Sequence, residues 1–196
     1  MATSGSTNFE LDVNDYIEEA FERCGLEVRT GYDVKTATRS LNLMFADWAN
    51  RGLNRWTIEQ STLSLTSGTA TYSLPTDTID ILSAVIRKGT GSTQSDTQIT
   101  RISRDAFINI PSKNTEAQPS QWYVDRQIAP TIKVWPTPNT SYTLVYDRLT
   151  RIEDADSSIN TLDVPFRFYP CLAAGLAYYL AMKKAPDRIQ VLKAVY

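Results

Sequence analysis

Histidine is missing altogether from the 196 residues of the chain. Its absence removes the commonest general base, the commonest metal ligand and every Ser-His or Cys-His nucleophile arrangement, so most hydrolase mechanisms lose their usual parts. Cysteine is scarce as well. Cys24 and Cys171 make no disulfide framework; both fall in predicted helices among apolar neighbours, where a thiol packs as a small hydrophobe. Charge of one sign is also lacking: 20 basic against 22 acidic residues give a net charge of -2, so no global positive field draws the protein onto nucleic acid or an anionic membrane. No long hydrophobic run is present either. The uncharged stretch 168–182 is flanked by Arg167 and Lys183, short for a membrane span and suited to a buried helix. Residues 1–8 are small and polar without the basic start and apolar stretch of a signal peptide, which leads us to expect synthesis and assembly in the cytoplasm.

What is present belongs to an ordinary folded protein. Hydrophobic residues at 42% and charged residues at 21% lie well away from the regime of disordered chains, and the length suffices to bury a real core. Asp12 is placed to cap a helix over 13–24, whose Tyr16, Ile17, Ala20, Phe21 and Cys24 share a face and which Gly25 stops. A second helix is expected to begin near Asp33, with Ala37, Leu41, Met44, Phe45 and Trp48 at helical spacing and Gly52 as terminator, forming an antiparallel pair with the first. From Trp56 the period changes to two. Residues 57–65 and 69–74 flank a Ser67-Gly68 turn and read as a hairpin, and further strands are expected at 79–87, 97–102, 121–125, 131–135 and 142–149. Residues 103–108 suit one helical turn, and 111–120 a loop.

Helix returns after Asp163, a candidate cap followed by Pro165. Pro170 implies either a kink or a later start. Leu172, Leu176, Tyr179 and Leu180 form one stripe of this helix, but Ala173, Ala174, Ala177 and Ala181 leave its other faces apolar, so it must be enclosed on most sides. A last helix carries Ile189, Leu192 and Tyr196 on one side, with Val191 and Val195 close by. The resulting expectation is an α+β fold: an antiparallel helical bundle built from both chain ends, residues 1–55 and 151–196, with a small antiparallel β domain at 56–150 inserted between them.

Candidate chemistry is weak throughout. The carboxylate pairs Glu18/Glu19 and Asp154/Asp156 lie in polar stretches where carboxylates are solvated. The run from Asp154 begins like a calcium loop, but Ile159 stands where the glycine is required and Pro165 where the final bidentate carboxylate would be. Lys88-Gly89-Thr90-Gly91-Ser92-Thr93 lacks the order of a phosphate-binding loop, and Asn139-Thr140-Ser141 reads as a turn after Pro136 and Pro138. Trp48, Trp56, Trp122 and Trp135 sit where core packing explains them. No catalytic residue, metal site or cofactor is expected.

Four segments carry a family resemblance: helix 37–50 running into Arg51-Gly52-Leu53-Asn54-Arg55-Trp56-Thr57; Tyr72-Ser73-Leu74-Pro75 before Ile79-Asp80-Ile81-Leu82; Ile132-Lys133-Val134-Trp135-Pro136-Thr137-Pro138-Asn139; and Gly175-Leu176-Ala177-Tyr178-Tyr179-Leu180-Ala181. In this order and spacing the chain resembles the head-to-tail adaptor proteins of short-tailed bacteriophages, the tail tubular protein A or tail accessory factor family. The resemblance implies a virion neck protein: one subunit of a dodecameric ring between the portal protein and the tail nozzle, lining a channel through which double-stranded DNA passes without sequence-specific binding. It further implies that the C-terminal segment, represented here by Ile189, Val191, Leu192, Val195 and Tyr196, docks on the portal. The all-round apolar helix suggests that Leu176, Tyr178 and Tyr179 meet a neighbouring subunit. Two other readings remain open at this stage: a neck connector of long-tailed phages, and a module whose β domain binds carbohydrate or a host surface. A cell-wall-degrading enzyme is disfavoured by the missing histidine.

Overall fold

The computed structural model describes residues 3–53 and 55–196; Met1 and Ala2 of the N-terminal stretch, and Asn54 within the run quoted above, lie outside the described residues. Helices α1 (Val13–Arg23) and α2 (Gly31–Asn50) lead into strands β1 (Ile58–Leu65), β2 (Thr71–Ser73), β3 (Thr78–Lys88), β4 (Ser95–Gln98) and β5 (Thr100–Arg101). A short helix α3 (Arg104–Ile108) precedes β6 (Glu116–Ala117), β7 (Gln121–Asp125), β8 (Thr131–Trp135), β9 (Thr137–Pro138) and β10 (Tyr142–Thr150), after which α4 (Tyr169–Lys184) and α5 (Ile189–Val195) follow. The fold is α+β, with helices toward both ends and the β region between them. It divides into two compact units, residues up to 56 with 152–196, and residues 57–151.

In the helical unit, local signals set the helix ends. Asp12 accepts from the Asp15 N–H while the Asp15 carboxylate accepts from the Asp12 N–H, a reciprocal capping box, and Thr30 and Asp33 repeat it at α2. Both helices stop in the same way. Gly25 (φ 71°) and Gly52 (φ 70°) take the left-handed conformation. The Leu26 N–H then reaches the Phe21 carbonyl at 2.9 Å, and the Leu53 N–H the Trp48 carbonyl at 3.0 Å, closing the last turns.

The C-terminal helix starts later than Asp163 suggests. Residues 166–168 form a single 3-10 turn and α4 begins at Tyr169, which puts Pro170 in the first turn, where its missing N–H deprives the helix of no bond. Packed against α1, α2 and α5, α4 is the centre of its unit. Leu172, Ala173, Ala174, Leu176, Ala177, Leu180 and Ala181 are all buried by the chain itself. Three helices of the same chain enclose most of α4, because its small residues allow close approach; this corrects the expected contact of Leu176 with a neighbouring copy, while Tyr178 and Tyr179 stay half-buried and Met182 exposed.

Residues 152–164 are stitched onto this bundle. The Asn42 side-chain amide donates to the Ala155 carbonyl at 3.0 Å and accepts from the Ala155 N–H at 2.8 Å. The free donors at the start of α1 are satisfied by the same segment, Val13 N–H on the Asn160 carbonyl at 3.0 Å and Asn14 N–H on the Ser158 carbonyl at 2.9 Å.

The β unit corrects a second expectation. Thr66 and Thr69 do form a turn around Ser67-Gly68, with the Tyr72 hydroxyl bonded to Thr66 and Thr69, but its flanking strands do not pair with each other. Strand β1 pairs with β10 in a sheet ordered β1-β10-β3-β4, whereas β2 pairs with β8 in a sheet ordered β2-β8-β7-β5. The chain therefore changes sheets at the turn. Leu65 and Leu144 from the first sheet share one core with Trp122, Ile132 and Val134 from the second, and burying alternate residues of both sheets offsets the loss of a local hairpin. Arg148, nearly buried at a register shift in β10, is held by Glu59, by Asp77 at 2.7 Å and by the Thr78 hydroxyl at 3.0 Å.

Two predictions follow from the helical core. The Tyr16 hydroxyl is buried with no hydrogen-bond partner among the described residues, its ring edge-on to Tyr169, and burial pushes its pKa up. Tyr16→Phe is expected to leave stability unchanged or to raise it by about 1 kcal/mol, since an unsatisfied group is removed at constant shape; a clear loss in a urea titration would reveal a missed partner. Asp33 is bonded to Lys184 and to Thr30, which lowers its pKa to about 2. A lowered folded-state pKa stabilises fully above the ordinary value of 3.8 and is lost as pH falls toward about 2. The stability gap between wild type and Asp33→Asn should therefore be wide at neutral pH and close over that acid window, as urea midpoints measured at several pH values will show.

Candidate assembly interface

Helix α5 is anchored by one face and open on the other. Ile189 and Tyr196 pack on the core as half-buried residues and Leu192 is buried. Tyr196 stacks on Tyr178 with ring centroids 5.8 Å apart, and its hydroxyl accepts from the Trp48 indole N–H at 2.8 Å. Burial raises the Tyr196 pKa, with the Trp48 donation opposing it. Gly175 makes this seat possible: a Cβ there would fall 2.5 Å from the Met44 sulfur and 2.7 Å from the Tyr196 ring. On the far side, Val191 and Val195 are 67% and 65% exposed and lie one turn apart on one face.

The structure therefore separates the residues that sequence grouped for portal docking. Val191 and Val195 face outward, while Leu192, and in large part Ile189 and Tyr196, are spent on holding the helix to its own unit. Of the expected subunit contacts, Leu176 is fully enclosed by the chain and offers no surface to a neighbour. Tyr178 and Tyr179 are half-buried and edge-on to each other at 6.0 Å. The Tyr179 hydroxyl donates to Asp47 at 3.4 Å, and Asp47 pairs with Arg51 at 2.8 Å; burial raises the Tyr179 pKa, and the Asp47 charge adds to the effect.

The candidate chemical features resolve into local structure. Glu18 accepts from Asn14 at 3.0 Å, Glu19 pairs with Arg23 at 2.7 Å, and Asp156 accepts from Asn160 at 2.8 Å. Gly89 (φ 72°) closes the connection between β3 and β4, where a Cβ would meet the Thr93 carbonyl at 2.4 Å. Trp48, Trp56 and Phe168 form one aromatic cluster, with Trp56 and Phe168 centroids 4.7 Å apart, and Trp122 is buried with its indole N–H on the Ile99 carbonyl at 3.2 Å. Among the described residues no three of Cys, Asp and Glu gather as a metal cluster requires, and no helix is long and apolar enough to cross a membrane. Sequence reasoning missed Trp48 as the partner of Tyr196, because the pair lies far apart along the chain and only the bundle brings it together.

A family model described as "SU10 adaptor protein" matches residues 12–196 of the chain. No curated protein matches it. Among solved structures, a chain described as "Neck of empty GTA particle computed with C6 symmetry" is 12% identical over 89% of this chain and 84% of that one, with a TM-score of 0.30.

The seat of Tyr196 gives a third prediction. Gly175→Ala adds about 1 kcal/mol of helix propensity but forces a methyl against Met44 and the Tyr196 ring, an overpacking cost of about 1–3 kcal/mol. A net loss of stability is expected, with Trp48 fluorescence altered as Tyr196 is displaced; a stabilised variant with unchanged emission would show that the close approach is not tight.

Proposed function

The chain belongs to the SU10 adaptor protein family, and from that premise we propose that it is a structural subunit of the head-to-tail connection of a tailed bacteriophage, without enzymatic activity of its own. In this reading copies of the chain form a ring in the virion neck, between the portal protein and the tail. The ring lines the channel through which double-stranded DNA leaves, and the subunit number is twelve, as in the short-tailed phage adaptors that the sequence resembles. A mildly acidic subunit suits such a channel, because a basic lumen would hold the phosphate backbone and retard its passage.

One observation carries the proposal beyond family membership: the outward face of α5. Val191 and Val195, exposed side by side on a helix whose other face is fixed by Leu192 and Tyr196, form an apolar contact that the unit itself does not use. We assign this face to the portal, with Tyr178 and Tyr179 nearer the contact between neighbouring copies. Leu176 has no part in either.

The test is mass in solution, measured with and without the portal protein. A monomer alone and a large ring with portal are expected. Val191→Asp combined with Val195→Asp should leave the thermal midpoint nearly unchanged, within about 0.5 kcal/mol for exposed positions, while abolishing assembly. A stable monomer indifferent to portal would refute the role, and a double variant that still assembles would remove α5 from the contact.

A further inference from the structure

Helix α2 carries a surface that its own unit does not use. Its buried stripe, Ala37, Leu41, Met44, Phe45 and Trp48, faces the core. On the opposite side Tyr32, Lys35, Arg39 and Leu43 follow at three- and four-residue steps, which sets them in one line along the helix. Tyr32 is 72% exposed and Leu43 55%, and the two exposed cations between them make no ion pair among the described residues. Beside this line runs a groove of about 640 Å³, walled by Val34 and Leu43 of α2 and, across from them, by Asp156 and Ser158. The Asp156 carboxylate is engaged with Asn160, whose side-chain amide donates to it at 2.8 Å. Ile159, next after Ser158, is 79% exposed. An exposed apolar patch interrupted by two unpaired cations fits a partner surface that is acidic.

The chain itself carries such a surface. On α1, opposite the buried Tyr16, Ile17, Ala20 and Phe21, the exposed residues Asp15, Glu18 and Glu22 form a line of their own. Asp15 is engaged in the capping box of α1. Glu18 is bound only by the Asn14 side chain of the same helix, at 3.0 Å, and Glu22 makes no ion pair among the described residues. Glu18 and Glu22 stand one helical turn apart, and so do Lys35 and Arg39, so the two lines match in sign and in spacing. Within one molecule they do not meet, because each lies on the side of its helix turned away from the buried core.

We propose that the α2 groove receives the outer face of α1 from a second copy of this chain. Glu18 and Glu22 of one molecule pair with Lys35 and Arg39 of the next, while Tyr32 and Leu43 are covered at the two ends of the contact. Ion pairs at a wet surface contribute little each, so the apolar ends supply affinity and the charges supply orientation and choice of partner. A contact between two different faces leaves one of each free in any pair, so copies add head to tail until the rotation closes a ring. In this the contact rests on the assembly reading above and names the surfaces by which neighbouring copies meet.

The experiment uses the full chain with portal protein and reads mass in solution for wild type and three variants. One carries Lys35→Glu with Arg39→Glu, the second Glu18→Lys with Glu22→Lys, and the third all four changes. Each double variant should keep its thermal midpoint, since the positions are exposed. Each should also raise the subunit concentration needed for assembly at least about tenfold, because like charges then face each other. The fourfold variant reverses both faces together and should assemble as wild type does. If wild type assembles and either double variant assembles equally well, the contact is overturned while the ring stands. If the fourfold variant fails to recover assembly, the groove belongs to a different partner and the contact is likewise overturned. A wild type that stays monomeric with portal overturns the ring and this contact together.

Discussion

The enclosure of α4 is the constraint on which the helical unit depends. A helix with apolar residues on every face must be covered on most of them, and α1, α2 and α5 of its own chain cover this one except at the half-buried Tyr178 and Tyr179 and the exposed Met182. Its small residues decide the manner of packing. Ala173, Ala174, Gly175, Ala177 and Ala181 keep the helix narrow, so large partners supply the bulk: Tyr16, Ile17 and Phe21 from α1, Leu41, Met44 and Trp48 from α2, and Leu192 from α5. Since α1 and α2 precede the β unit and α4 and α5 follow it, this core forms only when the two ends of the chain come together, and burial of apolar area is what makes that long-range closure favourable.

Polar contacts then fix register where apolar packing is indifferent to it. Asp33 at the start of α2 meets Lys184 at the end of α4, Lys183 donates to Ser40 at 2.7 Å, and Lys184 also lies over the Phe21 ring at 5.3 Å. Asn42 reads the backbone of Ala155 through both halves of its amide, which pins the segment entering the C-terminal helices to the middle of α2. Each contact joins residues more than a hundred positions apart. They add directional terms to a non-directional driving force, and a sliding helix would leave them unpaired at a cost of about 1–3 kcal/mol per buried group.

Much of this was legible from the sequence. Period-two alternation placed β7 and β8 at 121–125 and 131–135 with the ends found in the structure, because each strand buries one face in a shared core. Asp12, Gly25 and Gly52 marked helix ends through local chemistry alone. What escaped was non-local. Nothing near Ser67-Gly68 tells β1 to choose β10 or β2 to choose β8, since a turn signal specifies a reversal and not a partner. Asp163 looked like a cap, yet desolvation and the nearby Glu153 charge raise its pKa, while the helix waits until Tyr169.

The division of labour within α5 bears on the contact proposed for that helix. A short helix by itself is marginal in water, and a partner that had to order it would lose affinity to that ordering. Here the order is already present. Leu192 in the core, the Tyr196 ring on Tyr178 and its hydroxyl on Trp48 hold the inner face, so the outer valines are displayed on a fixed scaffold before any partner arrives. Preorganisation of this kind strengthens association by reducing the entropy lost on binding rather than by adding contacts. Two valines bury little area in one copy, but in the proposed ring the contact would be repeated around the axis, and repetition multiplies a weak term without enlarging the surface that an isolated subunit exposes to water.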